Sequence, residues 1–217
     1  MSGSLKTWPH PGGLLERLGV APDEIERGSR AAARQSVGAR WVGAEADLAA
    51  CLVYAAGDAS LASLIEIGND PVGNAVRALR EGAPILVDVS MVRAGLRSGD
   101  RPVIVAVDQI GASDLALSAG TTRSAAGVEI AWSRLQASPV VALGNAPTAL
   151  LAVLDNARVM APACVIATCP GFQIAAEAKA ELSASKTIPH LAVAGTVGGS
   201  GLAVAALNFL LGLADGA

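Results

Sequence analysis

Ser138-Pro139-Val140-Val141-Ala142-Leu143-Gly144-Asn145-Ala146-Pro147-Thr148-Ala149-Leu150-Leu151 decides the fold class of this chain. Val140 to Leu143 is a short apolar run with β-branched residues, the signature of a strand buried on both faces. Gly144-Asn145 breaks it with the two residue types that most readily adopt unusual backbone angles. Ala146-Pro147 then opens a helix, because a proline at the first helical position gives up an N–H that has no partner there. Leu150, Leu151 and Leu154 continue with helical spacing. A strand that feeds a helix through so tight a turn points backbone N–H groups and the helix's positive end at the sheet's carboxyl edge, where open α/β folds bind anions. From these residues alone the plainer reading, a well-made turn without a ligand, is preferred.

Outward from this unit, the same alternation recurs. Further strands are predicted at Ala83–Val89, Val103–Val107, Ala163–Ala167 and Pro189–Ala194, five in all with Val140–Leu143. Helices are predicted from Asp23 to Arg34, Ala44 to Ala56, Pro71 to Glu81, Met91 to Leu96, Thr121 to about Leu135, Phe172 to Ser183 and Leu202 to about Leu213. Asp23-Glu24 at the start and Arg34 at the end of the first suit the helix dipole, and Thr121-Thr122 is a natural cap. The expectation is an α/β fold with a mainly parallel, roughly five-stranded sheet covered by helices on both faces. One domain spans residues 1–217, with Met1 to Gly13 as a loose Gly/Ser/Pro-rich arm.

Composition narrows the function. Apolar residues make up 52% and charged ones 16%, which favours a chain that hides one face against a copy of itself. Aromatics at 3% and a net charge of −3 without a basic run argue against nucleic acid. Cys51, Cys164 and Cys169 read as buried thiols of a reducing compartment, since an odd number cannot make a full disulfide framework. His10 and His190 stand apart from each other and from any CxxC, so no metal site is expected. Leu202 to Ala214 is the longest apolar segment, interrupted by Asn208 and too short to span a bilayer. A cytoplasmic protein with no membrane association is expected.

Four loops should meet at the carboxyl edge: Asp88–Met91, Gly144–Pro147, Thr168–Gly171 and Gly195–Ser200. Gly195-Thr196-Val197-Gly198-Gly199-Ser200 lacks the lysine of a Walker A loop and is not a dinucleotide fingerprint at the first strand, so ATP and NAD are weak guesses. Ser200 has no His–Asp partner identifiable by spacing. The residues alone stop at a ligand-binding α/β domain.

The motifs in order go further. Val53-Tyr54-Ala55-Ala56-Gly57-Asp58, Asp88-Val89-Ser90-Met91-Val92-Arg93-Ala94-Gly95, Thr122-Arg123-Ser124-Ala125-Ala126 and Gly144-Asn145-Ala146-Pro147-Thr148-Ala149-Leu150 come first. Pro170-Gly171-Phe172, Glu177-Ala178-Lys179 and Gly198-Gly199-Ser200 follow. This array resembles the precorrin-8X methylmutase (precorrin isomerase) family of cobalamin biosynthesis from roughly Ile25 to the C-terminus, with Gly-Asn-Ala-Pro-Thr-Ala-Leu and Thr-Arg-Ser as its most specific parts.

The resemblance implies a three-layer α/β/α homodimer, a substrate site near the subunit interface and no cofactor. The implied reaction moves a methyl group between adjacent ring carbons of precorrin-8X, or of its cobalt form. The substrate is an acidic tetrapyrrole whose carboxylate arms call for local donors, whatever the net charge of the protein. The resemblance also implies a substrate-binding set: Ser29, Arg123, Ser124, Asn145, Lys179, Gly198, Gly199 and Ser200. Its catalytic position, a histidine in the family pattern, is Tyr54 here. Histidine titrates near neutrality, whereas tyrosine as a residue type is a poorer acid by roughly three to four units. Val197 stands where the family pattern has a basic residue, and Arg30 where it has an aromatic one.

Several residues keep a plainer reading. Arg123 is read as a carboxylate binder in preference to a partner of Glu129 or another acid. Lys179 is divided between binding and a solvated helix face beside Glu177 and Glu181. Asn145 is read first as a turn-former, and Ser29 is the least firmly aligned. Two rivals to the isomerase stand: a paralogue without turnover that carries or senses a corrinoid, and an enzyme acting on a different acidic tetrapyrrole.

Overall fold

Six strands form one sheet in the order β1-β6-β5-β4-β2-β3, in a computed structural model that describes Gly13, Arg17, Gly19 and residues 21–216. The strands are β1 (Ile65–Gly68), β2 (Ile85–Val87), β3 (Val103–Val105), β4 (Val140–Leu143), β5 (Cys164–Ala167) and β6 (His190–Val193). The five predicted strands pair in parallel, so their carboxyl ends share one edge. β1 was not foreseen. It runs antiparallel on the outside of β6, with Ile65 opposite Val193. A four-residue segment carrying Glu66 shows no strand pattern of its own, and its pairing is supplied by β6.

The helices are α1 (Pro22–Val37), α2 (Gly43–Ala56), α3 (Pro71–Arg80), α4 (Ser90–Ala94), α5 (Ala112–Ala119), α6 (Arg123–Trp132), α7 (Pro147–Asn156), α8 (Ala175–Ala184) and α9 (Ser200–Asp215). α5 is an addition to the sequence reading, bounded by Gly111 and Gly120, both in left-handed geometry. α8 starts later than predicted because Ile174 takes φ 56°, a turn that keeps Phe172 out of the helix. The expected arm, Met1 to Gly13, lies outside the described residues except for Gly13.

Alternate strand residues face opposite layers. Ile85, Val87, Val140, Ala142, Ile166 and Leu191 join a core with α3, α9, α2 and Val37 of α1. Leu86, Val141, Leu143, Val165 and Ala192 join a second core with α6, α7 and α8. This is the expected three-layer α/β/α arrangement, with α1 and α2 added outside α9. α2 is apolar on most sides because it is packed between α1 and α9, with Leu48, Ala49, Leu52 and Val53 buried. Each such Leu or Val is worth about 1.5–3 kcal/mol of burial. Among the described residues no helix is long and apolar enough to cross a membrane.

The three cysteines are free, Cys164 and Cys169 buried and Cys51 half-buried. Burial pushes the Cys164 thiol up to about 12 and that of Cys169 up to about 11, and raises Cys51 as well. Thiolate is the reactive form. In the native protein at pH 8, iodoacetamide should therefore leave Cys164 and Cys169 unlabelled and modify Cys51 slowly. All three should react once the chain is unfolded in guanidinium, and mass spectrometry reads the difference. Rapid native labelling of Cys164 would contradict the packing described.

Candidate functional site

Asp88 follows β2 directly, and its side chain has no exposed surface. Its carboxylate accepts from the N–H groups of Gly144 (3.1 Å), Asn145 (2.7 Å) and Ala146 (2.8 Å), the turn between β4 and α7. Burial pushes the Asp88 carboxyl above the ordinary aspartate range, while the donations from Ala146, Gly144 and Asn145 hold it back. This agrees with the preferred, plainer reading of that turn as a well-made strand-to-helix turn without a ligand. Its donors already hold the protein's own carboxylate, and what the turn offers a ligand is the exposed side of Asn145. Gly144 is required because a Cβ there would lie 2.6 Å from Ser200 Cα, where α9 begins.

The loop before α9 is held against β5. Gly199 donates its N–H to the Thr168 carbonyl at 2.6 Å, and the Thr168 hydroxyl donates to the Gly199 carbonyl at 3.0 Å. A Cβ on Gly198 would sit 1.9 Å from the Thr168 oxygen, and φ there is 150°. Lys179 is fully buried on α8 and donates from Nζ to the Val197 carbonyl at 2.9 Å. The solvated-face reading of Lys179 is thereby overturned: it braces the loop, and burial pushes its ammonium below the usual lysine range. Ser200 is buried, with Oγ 3.5 Å from the Gly144 carbonyl. No side chain caps α9.

Thr122 caps α6 by accepting from Ala125 N–H at 3.2 Å, and its hydroxyl meets that of Thr148 on α7 at 2.6 Å. The cap sets Arg123 at the helix start. Arg123 Nε donates to the Val107 carbonyl at 2.6 Å, and Nη2 lies 3.8 Å from Asp108. Ser90 donates to the same Asp108 at 2.8 Å. The Arg123 side chain is 56% exposed, so most of its guanidinium is open to a ligand, and its partner is Asp108, not Glu129. Ser124, the next residue, is buried.

Tyr54 lies in the last turn of α2, which closes on Gly57 in left-handed geometry. The chain then enters β1 at the carboxyl edge of the parallel strands. Tyr54 lines a cavity of about 250 Å³ with Arg30, Arg34, Asp47, Cys51 and Phe209. Arg123 is not among its lining residues, and the volume is below the roughly 300–1,000 Å³ of small-molecule sites. Ser29 is exposed on α1 and spends its hydroxyl on the Ile25 carbonyl at 2.7 Å. One chain thus presents its predicted residues in separate groups, not in one closed pocket. Among the described residues no three His, Cys, Asp or Glu side chains gather as a metal-ligand group.

The sequence profile of the CbiC precorrin-8X methylmutase family matches residues 24–213. A precorrin-8X methylmutase from Sinorhizobium sp is 40% identical over 173 residues, covering 76% of this chain and 82% of that protein. A cobalt-precorrin-8 methylmutase from Methanothermobacter thermautotrophicus is 36% identical over 172 residues, covering 78% and 81%. This chain belongs to the precorrin-8X methylmutase family. The solved structure of the Thermus thermophilus precorrin-8X methylmutase superposes with a TM-score of 0.76 at 30% identity, covering 88% of this chain and 98% of that one. A "precorrin-8X methylmutase related protein" gives 0.79, also at 30% identity.

Within this methylmutase fold, two residues of the site escaped the sequence reading. Asp88 was placed in a carboxyl-edge loop and in a family motif but given no role, because its three donors come from a segment 56 to 58 positions away. Arg30 was noted as a departure from a pattern, yet its guanidinium lies 4.9 Å from the centre of the Tyr54 ring. Replacing Asp88 by Ala would leave three N–H groups of the β4–α7 turn without an acceptor, at about 1–3 kcal/mol for each buried donor. Asp88→Ala should lower stability by about 3 kcal/mol or more, read as a fall in the urea midpoint at unchanged slope. A loss under about 1 kcal/mol would show that the turn does not depend on the carboxylate.

Proposed function

We propose that this protein catalyses the isomerisation of precorrin-8X, or of cobalt-precorrin-8, by intramolecular methyl migration to hydrogenobyrinate or cobyrinate. The observation that carries the reading is the family match across residues 24–213, joined by relatives of both names over most of their length. No group is exchanged with an external reactant, so the protein's work is to bind, shape and protonate the macrocycle. Tyr54 lends a proton from its hydroxyl and recovers it when the methyl group has moved, leaving substrate and product of equal composition. The open side of Arg123 takes a carboxylate arm. The uncapped start of α9 at Ser200, set by Gly198 and Gly199, takes another. Lys179 contributes by holding that loop, and the exposed side of Asn145 adds a contact.

We infer a homodimer in the cytoplasm. The small cavity beside Tyr54 asks for a second wall, and apolar side chains stand uncovered near the carboxyl edge: Phe172 is 98% exposed, Met91 69% and Val197 44%. Free thiols suit a reducing compartment.

Incubation with precorrin-8X, followed by the change in visible spectrum, tests the reading. Tyr54→Phe should lower kcat about 100-fold or more, and Arg123→Ala should raise KM about tenfold. Full turnover in Tyr54→Phe would remove the tyrosine from the chemistry. Tight binding without conversion, with turnover appearing in Tyr54→His, would assign the wild type to a carrier or sensor role.

A further inference from the structure

We propose that Arg30 is a positioning residue for Tyr54, clamping the phenol ring and stabilising the charge that develops on its oxygen. The inference rests on the reading of Tyr54 as proton donor. Arg30 lies on α1, and both Nε and Nη2 donate to one oxygen of Glu26 a turn earlier, at 3.0 and 2.9 Å. Two bonds to a single acceptor fix the plane of the guanidinium. The guanidinium carbon lies over the Tyr54 ring, 4.9 Å from its centroid and inside the range of a cation–π contact.

The contact joins two helices at the mouth of the Tyr54 cavity. Tyr54 sits in the last turn of α2 and is 38% exposed, so its own helix does little to hold its ring. Arg30 covers one side of it, and Arg34, one turn on and bonded to Asp47 at 3.3 Å, lines the same cavity. When the hydroxyl proton leaves, negative charge grows on the phenol oxygen next to a cation that is already oriented. Such pre-set charge acts on the transition state more than on the ground state. Once a macrocycle covers the pair, water screens it less. The effect should therefore appear in kcat and not in KM.

A kinetic cycle with precorrin-8X tests this. Arg30→Ala should lower kcat on the order of tenfold with KM within about twofold, and Arg30→Lys should recover part of the loss. In a Tyr54→Phe background, Arg30→Ala should cost nothing further, because Arg30 acts through the hydroxyl. Arg27→Ala, which breaks only an exposed pair with Asp23, serves as a control and should leave kcat and KM unchanged. The chain has a single tyrosine, so selective labelling of the ring gives one NMR signal, which should shift in Arg30→Ala. An unchanged kcat in Arg30→Ala, a rise in KM alone, or a loss that adds in full to Tyr54→Phe would each overturn the proposal. Undiminished kcat in Tyr54→Phe alone would instead strike the underlying assignment of Tyr54, and the Arg30 proposal with it.

Discussion

A buried carboxylate inside a backbone turn holds the working edge of this protein together. Asp88, at the end of β2, fills the N–H groups that open α7 after β4. Those groups and the positive end of the helix would otherwise attract an anion from solution. By supplying its own, the chain fastens two adjacent strand ends, and Gly144, lacking a Cβ, lets α9 approach the turn. The loop that leads into α9 is then pinned by Thr168 from below and by Lys179 from the side. The Asp88 and Thr168 contacts each tie the end of one strand to the loop after another, and Lys179 adds a tie from α8.

That economy divides the two helix starts that face the site. The α7 start is closed by Asp88, whereas the α9 start carries no side-chain cap. Two basic residues are divided in the same way. Lys179 is buried and spent on a carbonyl, while Arg123 keeps most of its guanidinium in the open. In the proposed reading an acidic macrocycle meets Arg123 and the α9 start, while Lys179 acts on it only through the loop it holds.

The Tyr54 region belongs to a different part of the architecture. α1 and α2 form an extra layer outside α9, and the tyrosine stands in the last turn of α2, at the end of that layer. Its ring is held by Arg30 across the α1–α2 contact. The phenol thus comes with a cation set beside it, supplied by the neighbouring helix.

Much of this was determined by the sequence alone. Val140–Leu143 with Gly144-Asn145 and Pro147 specified a buried strand, a tight turn and a helix, because short apolar runs, backbone freedom and proline's missing N–H act within a few residues. The same local rules gave the other parallel strands, the cap at the start of α6 and the buried state of Cys164 and Cys169, whereas Cys51 is only half-buried. Only the tertiary structure decided the rest. β1 exists because β6 offers it an edge, and α8 begins at Ala175 because Ile174 must turn first. Lys179 proved a buried brace because its partner is the Val197 carbonyl 18 residues away, not the acids beside it on the helix. Asp88 and Arg30 gained their roles the same way, from donors and a ring that lie far off in the sequence. Periodicity records which face a residue takes; which distant atom it meets there is settled only when the layers pack.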